Sequence, residues 1–239
     1  MTHTPLDRNK LHKKYERNEY IATLLLRTFG NFLILSSLFF IAKTFYQPIR
    51  EEVRYNLDRF SKKTYIVAEK KDEVRTKGLL AKALKDANIQ VLTPIDAQFS
   101  VLIPKIAANA SIRANVDASN SDIYLEALQQ GVAHAEGTAF PGEGGHIYLF
   151  AHSTDYIWNV GSYNAVFYLL YKLETGDEVN VFHNGQRYIY RVTGKTVVDP
   201  SEVEYLTRKT DKEFLTLQTC WPPGTTLKRM LIFAEREAE

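Results

Sequence analysis

The chain has 239 residues, of which 45% are hydrophobic and 24% charged, and its formal net charge is +2. These values are typical of a folded globular protein and exclude a disordered or collagen-like chain, and so small a net charge gives no indication of a nucleic-acid partner. A single cysteine, Cys220, excludes a disulfide framework and a cysteine-based zinc site.

An apolar segment lies near the N-terminus. Residues 28–42 carry no charge, and residues 21–46 as one helix would be about 39 Å long, which exceeds the roughly 30 Å hydrocarbon core of a bilayer. We therefore predict a transmembrane anchor over 21–46, closed by Pro48, and favour it over a buried core helix or a cleaved signal peptide. The lysine and arginine residues of 1–20 predict a cytoplasmic tail, with the rest of the chain outside the cytoplasm.

The next segment, 47–96, is charged and helix-prone, and we interpret it as a stem or linker. Its second half carries a partial apolar stripe at helical spacing between Val74 and Leu84. The stem is therefore predicted to be partly helical, and the stripe is expected to pack on the following domain or on the membrane surface.

From Phe99 onward the pattern changes to short apolar runs separated by turn residues. Asn184 and Gly185 between two alternating runs predict a type I′ hairpin. Helices are predicted over 121–130, ending at Gly131, and over 162–176, ending at Gly176. Further strands are expected at 99–103, 146–151, 213–220 and 228–235. Seven or eight short strands with two small helices indicate a mainly β fold, either a closed barrel or a sandwich.

Candidate chemistry centres on Cys220, which ends a strand and precedes a rigid Trp-Pro-Pro-Gly turn. A cysteine nucleophile needs a base or a cationic neighbour. His152 follows another strand and could meet Cys220 at one rim. Of the other histidines after the span, His134 is assigned to packing, and His146 and His183 are assigned to exposed positions. The strand after the turn should return Arg229 to the level of Cys220, with Lys228 on the opposite face. An inert buried thiol remains an alternative at this point.

These residues resemble a known family. The run Thr-Leu-Gln-Thr-Cys at 216–220, followed by Arg229 in the next strand, looks like the sortase signature. Other segments look sortase-like and occur in the expected order: 101–106, the run ending at His134, the run ending at Ser153, and 173–179. The resemblance covers roughly residues 97–236.

The resemblance implies an eight-stranded β-barrel over 97–239 and a membrane-anchored cysteine transpeptidase of bacterial surfaces. It assigns Cys220 as nucleophile, His152 as general acid and base, and Arg229 as the group that stabilises the oxyanion and substrate. We also expect Thr219 and Trp221, which flank the cysteine, to contact the substrate.

The implied reaction cleaves a Leu-Pro-x-Thr-Gly-like sorting signal of a surface protein. It then transfers the acyl group to an amine of a cell-wall precursor or to a pilin lysine. The expected partners are these proteins and the membrane, without nucleic acid.

No cofactor or metal is expected. Calcium stimulation stays open, because the sequence has no convincing acidic cluster for it. The subclass also stays open, since Ala151 replaces the glycine that often precedes the histidine, and a lid motif is not evident.

The residues argue against two alternative classes, namely another extracytoplasmic cysteine enzyme and a non-catalytic binding module. An L,D-transpeptidase-like enzyme would need a Ser/Thr-His-Gly-x-x-Asn setting around its nucleophile, and Cys220 lacks it. Papain-like and related peptidases place the cysteine before the histidine, whereas here His152 comes first. A non-catalytic, membrane-tethered binding module would be favoured by loss of Cys220, His152 or Arg229, and all three are present.

Overall fold

The computed structural model describes residues 8–68, 83–84, 86–153 and 166–237. It divides into two compact units, Met1–Gln47 and Pro48–Glu239. The described residues of the first unit belong to a long helix, α1 (Arg8–Phe60), whose stretch Glu19–Phe60 is long and apolar enough to cross a membrane.

The prediction that Pro48 ends this helix is wrong, because α1 continues to Phe60. Proline fixes a φ that is compatible with a helix and removes one hydrogen-bond donor. The charged, helix-prone residues that follow sustain the helix beyond it. The apolar stripe predicted between Val74 and Leu84 lies almost entirely outside the described residues.

The second unit contains ten strands among its described residues. A small parallel sheet pairs β1 (Thr64–Val67) with β2 (Ile89–Leu92). The other eight strands close into a barrel in the order β10-β8-β7-β3-β4-β5-β6-β9. Their bounds are β3 Phe99–Ile103, β4 Ala108–Val116, β5 Val132–Ala135, β6 His146–Phe150, β7 Glu178–His183, β8 Gln186–Val198, β9 Phe214–Trp221 and β10 Lys228–Arg236. The predicted eight-stranded, mainly β fold is confirmed.

Local signals explain several of these elements. Asn184 and Gly185 join β7 to β8 with φ of 52° and 79°, the left-handed values that a type I′ turn requires. Helix α2 (Ser121–Gln130) begins at Asn120, whose side chain accepts from the backbone N–H groups of Asp122 and Ile123.

The second predicted helix differs from the structure. Its first residues, 162–165, lie outside the described part of the chain. Residues 166–176 form turns and a short 3₁₀ helix, Leu170–Lys172. This conformation buries Phe167, Leu169, Leu170 and Leu173 together, which is more than one face of a short α-helix could direct into the core.

The barrel core follows the period of two expected for strands. Alternate residues point inward, as Ile147 and Leu149 do in β6 and Leu215 and Leu217 in β9. The residues between them form a second apolar cluster on the outer face, next to α2 and the β8–β9 loop. It includes Tyr148, Phe150, Val198 and Leu231.

Candidate active site

Cys220 and Arg229 are direct cross-strand neighbours. The antiparallel pairing of β9 with β10 places Cys220 opposite Arg229. Residues opposite each other in such a pair share one face, with Cβ atoms about 5 Å apart. The register that the sequence predicted for this hairpin is therefore confirmed, and the guanidinium stem stands next to the only thiol in the chain.

Lys228 has a different environment. Its Nζ lies 2.8 Å from Oδ1 of Asp199 in an exposed ion pair. The Arg229 side chain instead donates from Nη1 to the backbone oxygens of Thr226 and Lys228, each at 3.1 Å. Because adjacent strand residues face opposite ways, Arg229 rather than Lys228 shares the face of Cys220.

His152 follows the end of β6, the strand that runs parallel to β9. Phe150 is level with Gln218 in that pairing, so two residues further on His152 comes level with Cys220. The pairing continues past the strand end, because the Ala151 N–H donates to Gln218 O at 3.1 Å. Half-buried His152, Cys220 and Arg229 thus occupy one row across β6, β9 and β10.

The electrostatics of this row favour a neutral thiol. Burial raises the pKa of Cys220, and the positive charge of Arg229 partly lowers it again. The neighbouring phenol of Tyr148 donates to Oε1 of Gln218 at 2.6 Å, and burial also raises its pKa. Since the thiolate is the nucleophile, a group that accepts the Cys220 proton would be required near neutral pH.

Apolar residues of the outer face support the row. Val198 is the partner of Arg229 on the β8 side, and it is buried. Phe150 and Leu231 pack in the same outer cluster, to which Tyr205 and Leu206 of the β8–β9 loop contribute. These contacts fix the strand backbones that carry the three polar side chains.

Thr219 and Trp221 lie on the other face of β9. The buried Thr219 hydroxyl donates to the Ala151 backbone oxygen at 2.9 Å, which ties β9 to the end of β6. The half-buried Trp221 packs against the inner core and contacts the ring of Tyr171, with ring centroids 5.3 Å apart. Both residues therefore support the strand that carries Cys220, and their expected contact with a substrate stays a prediction.

The other histidines lie away from this row. His134 is buried against Phe140, and His183 stacks on Phe140, with centroids 5.1 Å apart. The prediction that His146 is exposed is wrong. It is buried at the start of β6, with Nε2 2.8 Å from Oγ1 of Thr216, and burial lowers its pKa to about 4.

Sequence reasoning missed the contacts behind the row. Tyr171 touches Trp221, and Phe167 donates its N–H to His152 O at 3.3 Å. Both belong to the segment 167–173, which we call the support segment. The sequence shows that this segment is rich in hydrophobic residues. Its two contacts join residues that are distant in the chain, and no local sequence pattern predicts them.

Comparisons with known proteins identify the family. The family model described as "Sortase domain" matches residues 101–237. Sortase D of Bacillus subtilis (strain 168) is 29% identical over 137 residues, which cover 56% of this chain and 61% of that protein. The chain therefore spans about three fifths of the length of this curated relative.

Solved structures give the same result. Sortase C-1 from Actinomyces oris is 31% identical with a TM-score of 0.50, and the match covers 61% of this chain and 76% of that one. Sortase C1 of GBS Pilus Island 1 is 30% identical with a TM-score of 0.50, covering 60% and 66%. With a family model that spans more than half of its length, the chain belongs to the sortase family, the transpeptidases of surface proteins.

Proposed function

We propose that this protein cleaves a Leu-Pro-x-Thr-Gly-like sorting signal between threonine and glycine, through a thioester on Cys220. The acyl group then passes to an amine of a cell-wall precursor or of a pilin subunit. The observation that carries the proposal is the row of His152, Cys220 and Arg229 across three neighbouring strands. Membership of the family supports the same reaction class.

In the first half-reaction, neutral His152 takes the Cys220 proton and the sulfur attacks the scissile carbonyl carbon. Negative charge develops on the carbonyl oxygen, and Arg229 stabilises it together with backbone N–H groups. His152 in its protonated form then gives a proton to the leaving amine as the C–N bond breaks. The products are a thioester on Cys220 and a peptide that begins with glycine.

In the second half-reaction, neutral His152 takes a proton from the acceptor amine as its nitrogen attacks the thioester carbonyl. The C–S bond breaks, the thiolate leaves, and a new amide joins donor and acceptor. His152 can act in both half-reactions because it is neutral once it has protonated the leaving amine and is then ready to accept a proton from the acceptor amine. The proton that it takes there returns to the Cys220 thiolate, which restores the starting state.

The same proposal includes a membrane location. The apolar window within Glu19–Phe60 has a mean hydropathy of 1.8. Residues 1–20 carry five lysine and arginine residues, against three in residues 44–60 on the other side of the apolar segment. A cytoplasmic N-terminus and an extracytoplasmic barrel follow from the positive-inside rule. A barrel on that side would meet surface proteins as they emerge from the membrane.

The experiment is turnover of a fluorogenic Leu-Pro-x-Thr-Gly peptide by the full chain in detergent micelles, with and without an amine acceptor. We expect cleavage and transfer by the wild type and neither by Cys220→Ala. The alanine creates little cavity at a half-buried strand end, so circular dichroism should show an intact fold. Transfer by the Cys220→Ala protein would overturn the proposal.

A further inference from the structure

The last turns of α1 dock on the catalytic unit through one carboxylate. Glu52 is half-buried and uses its two oxygens separately: Oε1 accepts from the Tyr171 hydroxyl in a short hydrogen bond, and Oε2 lies 3.2 Å from Nζ of Lys172. Both partners belong to the support segment. A single acidic side chain of the helix therefore holds two consecutive residues of that segment.

Aromatic rings enclose this contact. Nζ of Lys172 lies 5.2 Å from the ring centroid of Tyr55 and 4.8 Å from that of Tyr171. Tyr55, one turn after Glu52 on α1, is buried in the barrel core cluster. The ammonium group is thus held between two rings and a carboxylate, an arrangement in which the three interactions reinforce one another.

The support segment touches the catalytic row at two points. At one end, the Phe167 N–H donates to the backbone oxygen of His152. At the other, the Tyr171 ring contacts Trp221, the residue after Cys220. The C-terminal end of the segment is fixed by Lys195, whose Nζ donates to the backbone oxygens of Tyr171 and Leu173 at 2.8 and 2.9 Å.

We propose that Glu52 is a positioning residue for the reaction: by clamping Tyr171 and Lys172, it sets the support segment that places His152 and Trp221 around Cys220. The expected effect of Glu52 on turnover rests on the proposed function. Glu52 acts through the support segment and does not itself touch the reacting atoms. Because it belongs to the same helix as the candidate membrane anchor, the juxtamembrane turns become part of the catalytic unit.

The chain offers a matched control. Glu51 is the neighbouring carboxylate on α1, and it is also half-buried, but its Oε2 accepts from Arg54 of the same helix at 2.6 Å. Glu51→Ala removes a helix ion pair and leaves the support segment untouched. Tyr171→Phe is a milder second variant, since it removes only the hydroxyl and keeps the ring against Trp221.

The test uses the full chain in detergent micelles. A catalytic group displaced by a fraction of an ångström can lose one or two orders of magnitude in rate, so we expect kcat/KM for the fluorogenic peptide to fall about tenfold in Glu52→Ala. Tyr171→Phe should lose about threefold, and Glu51→Ala should stay within about twofold of the wild type.

Two further readouts separate positioning from stability. The first is the rate of Cys220 alkylation by iodoacetamide, a small neutral reagent, which should change at least about threefold in Glu52→Ala as the thiol environment shifts. The second is the emission of Trp221, measured in a Trp158→Phe background in which it is the only tryptophan. Loss of the Tyr171 contact should shift that emission to longer wavelength.

The outcomes are distinct. If Glu52→Ala lowers only the melting temperature, while alkylation and Trp221 emission match the wild type, Glu52 is structural and the inference is wrong. If the wild type itself does not turn over the peptide, the proposed function fails, whereas alkylation and emission still decide whether Glu52 positions Cys220. Equal effects of Glu51→Ala and Glu52→Ala would also overturn the inference.

Discussion

At the scale of single residues, the chemistry depends on which of two adjacent basic side chains faces the thiol. Arg229 pairs across the strands with Cys220, and Lys228 pairs with Asp199 in the exposed loop after β8. A guanidinium can bond an oxyanion and a substrate carbonyl at once, whereas an ammonium is a single point donor. The proposed mechanism therefore assigns different roles to the two residues despite their equal charge.

Arg229→Lys should lower turnover of the sorting peptide by at least about tenfold, and Arg229→Ala by more, because the loss of one oxyanion donor typically costs about 100- to 1000-fold. Lys228→Ala, which removes only the ion pair with Asp199, should stay near the wild type. A crippled Lys228→Ala beside an active Arg229→Ala would reverse the assignment.

The same arginine should also control thiol ionisation. Burial raises the pKa of Cys220 above its ordinary value, and the charge of Arg229 opposes that rise. Alkylation should therefore increase with pH with a midpoint above about 8.5, the usual thiol value. Arg229→Ala removes the opposing charge, so its midpoint should move to higher pH, whereas Lys228→Ala should leave it unchanged. A midpoint that moves down in Arg229→Ala would contradict this account.

At the scale of elements, strand patterns and the hairpin turn were predictable because they are local. The short separation in sequence between Cys220 and Arg229, across one turn, was enough to predict that they lie opposite each other. Two other features could not be predicted from local sequence: the continuation of α1 past Pro48 and the turn structure of 166–176. Both depend on tertiary packing, of Tyr55 in the first case and of Leu169 and Leu170 in the second. Thr219 and Trp221 face the opposite side of β9 from Cys220, because adjacent residues of a strand point to opposite faces.

The contribution of α1 to the barrel is measurable. Tyr55 is buried in the core cluster, whereas Leu57 on the same helix is exposed. Replacing a buried aromatic side chain by alanine typically costs about 3 kcal/mol, so Tyr55→Ala should lower the free energy of unfolding by about that amount. Leu57→Ala should change it by less than about 0.5 kcal/mol. Denaturant unfolding of both variants gives the comparison, and equal values would mean that the helix end is not part of the folded unit.

At the scale of the whole molecule, the sequence separates an apolar N-terminal helix from a β-barrel, and the two compact units divide at Gln47 and Pro48. Hydropathy was sufficient to predict the long apolar helix near the N-terminus, which is a candidate membrane anchor. The clamp of Glu52 on the support segment was not predictable, because its partners are more than a hundred positions away in the chain.

Topology is tested on intact cells. Protease added outside should digest the barrel and leave the N-terminal tail of residues 1–20 protected, because the basic residues favour the cytoplasmic side. A cytoplasmic protein serves as the control for cell integrity. Protection of the barrel in cells whose envelope admits the protease would contradict the proposed orientation.

The most direct test of the central claim is the mass of the enzyme during turnover without an acceptor amine. The full chain, quenched in acid after mixing with a sorting-signal peptide, should carry the mass of the acyl fragment ending in threonine. Proteolysis should place that mass on the peptide that contains Cys220, hydroxylamine should release it, and Cys220→Ala should never acquire it. Cleavage of the peptide by the wild type with no adduct on Cys220, or an adduct on another residue, would contradict the account.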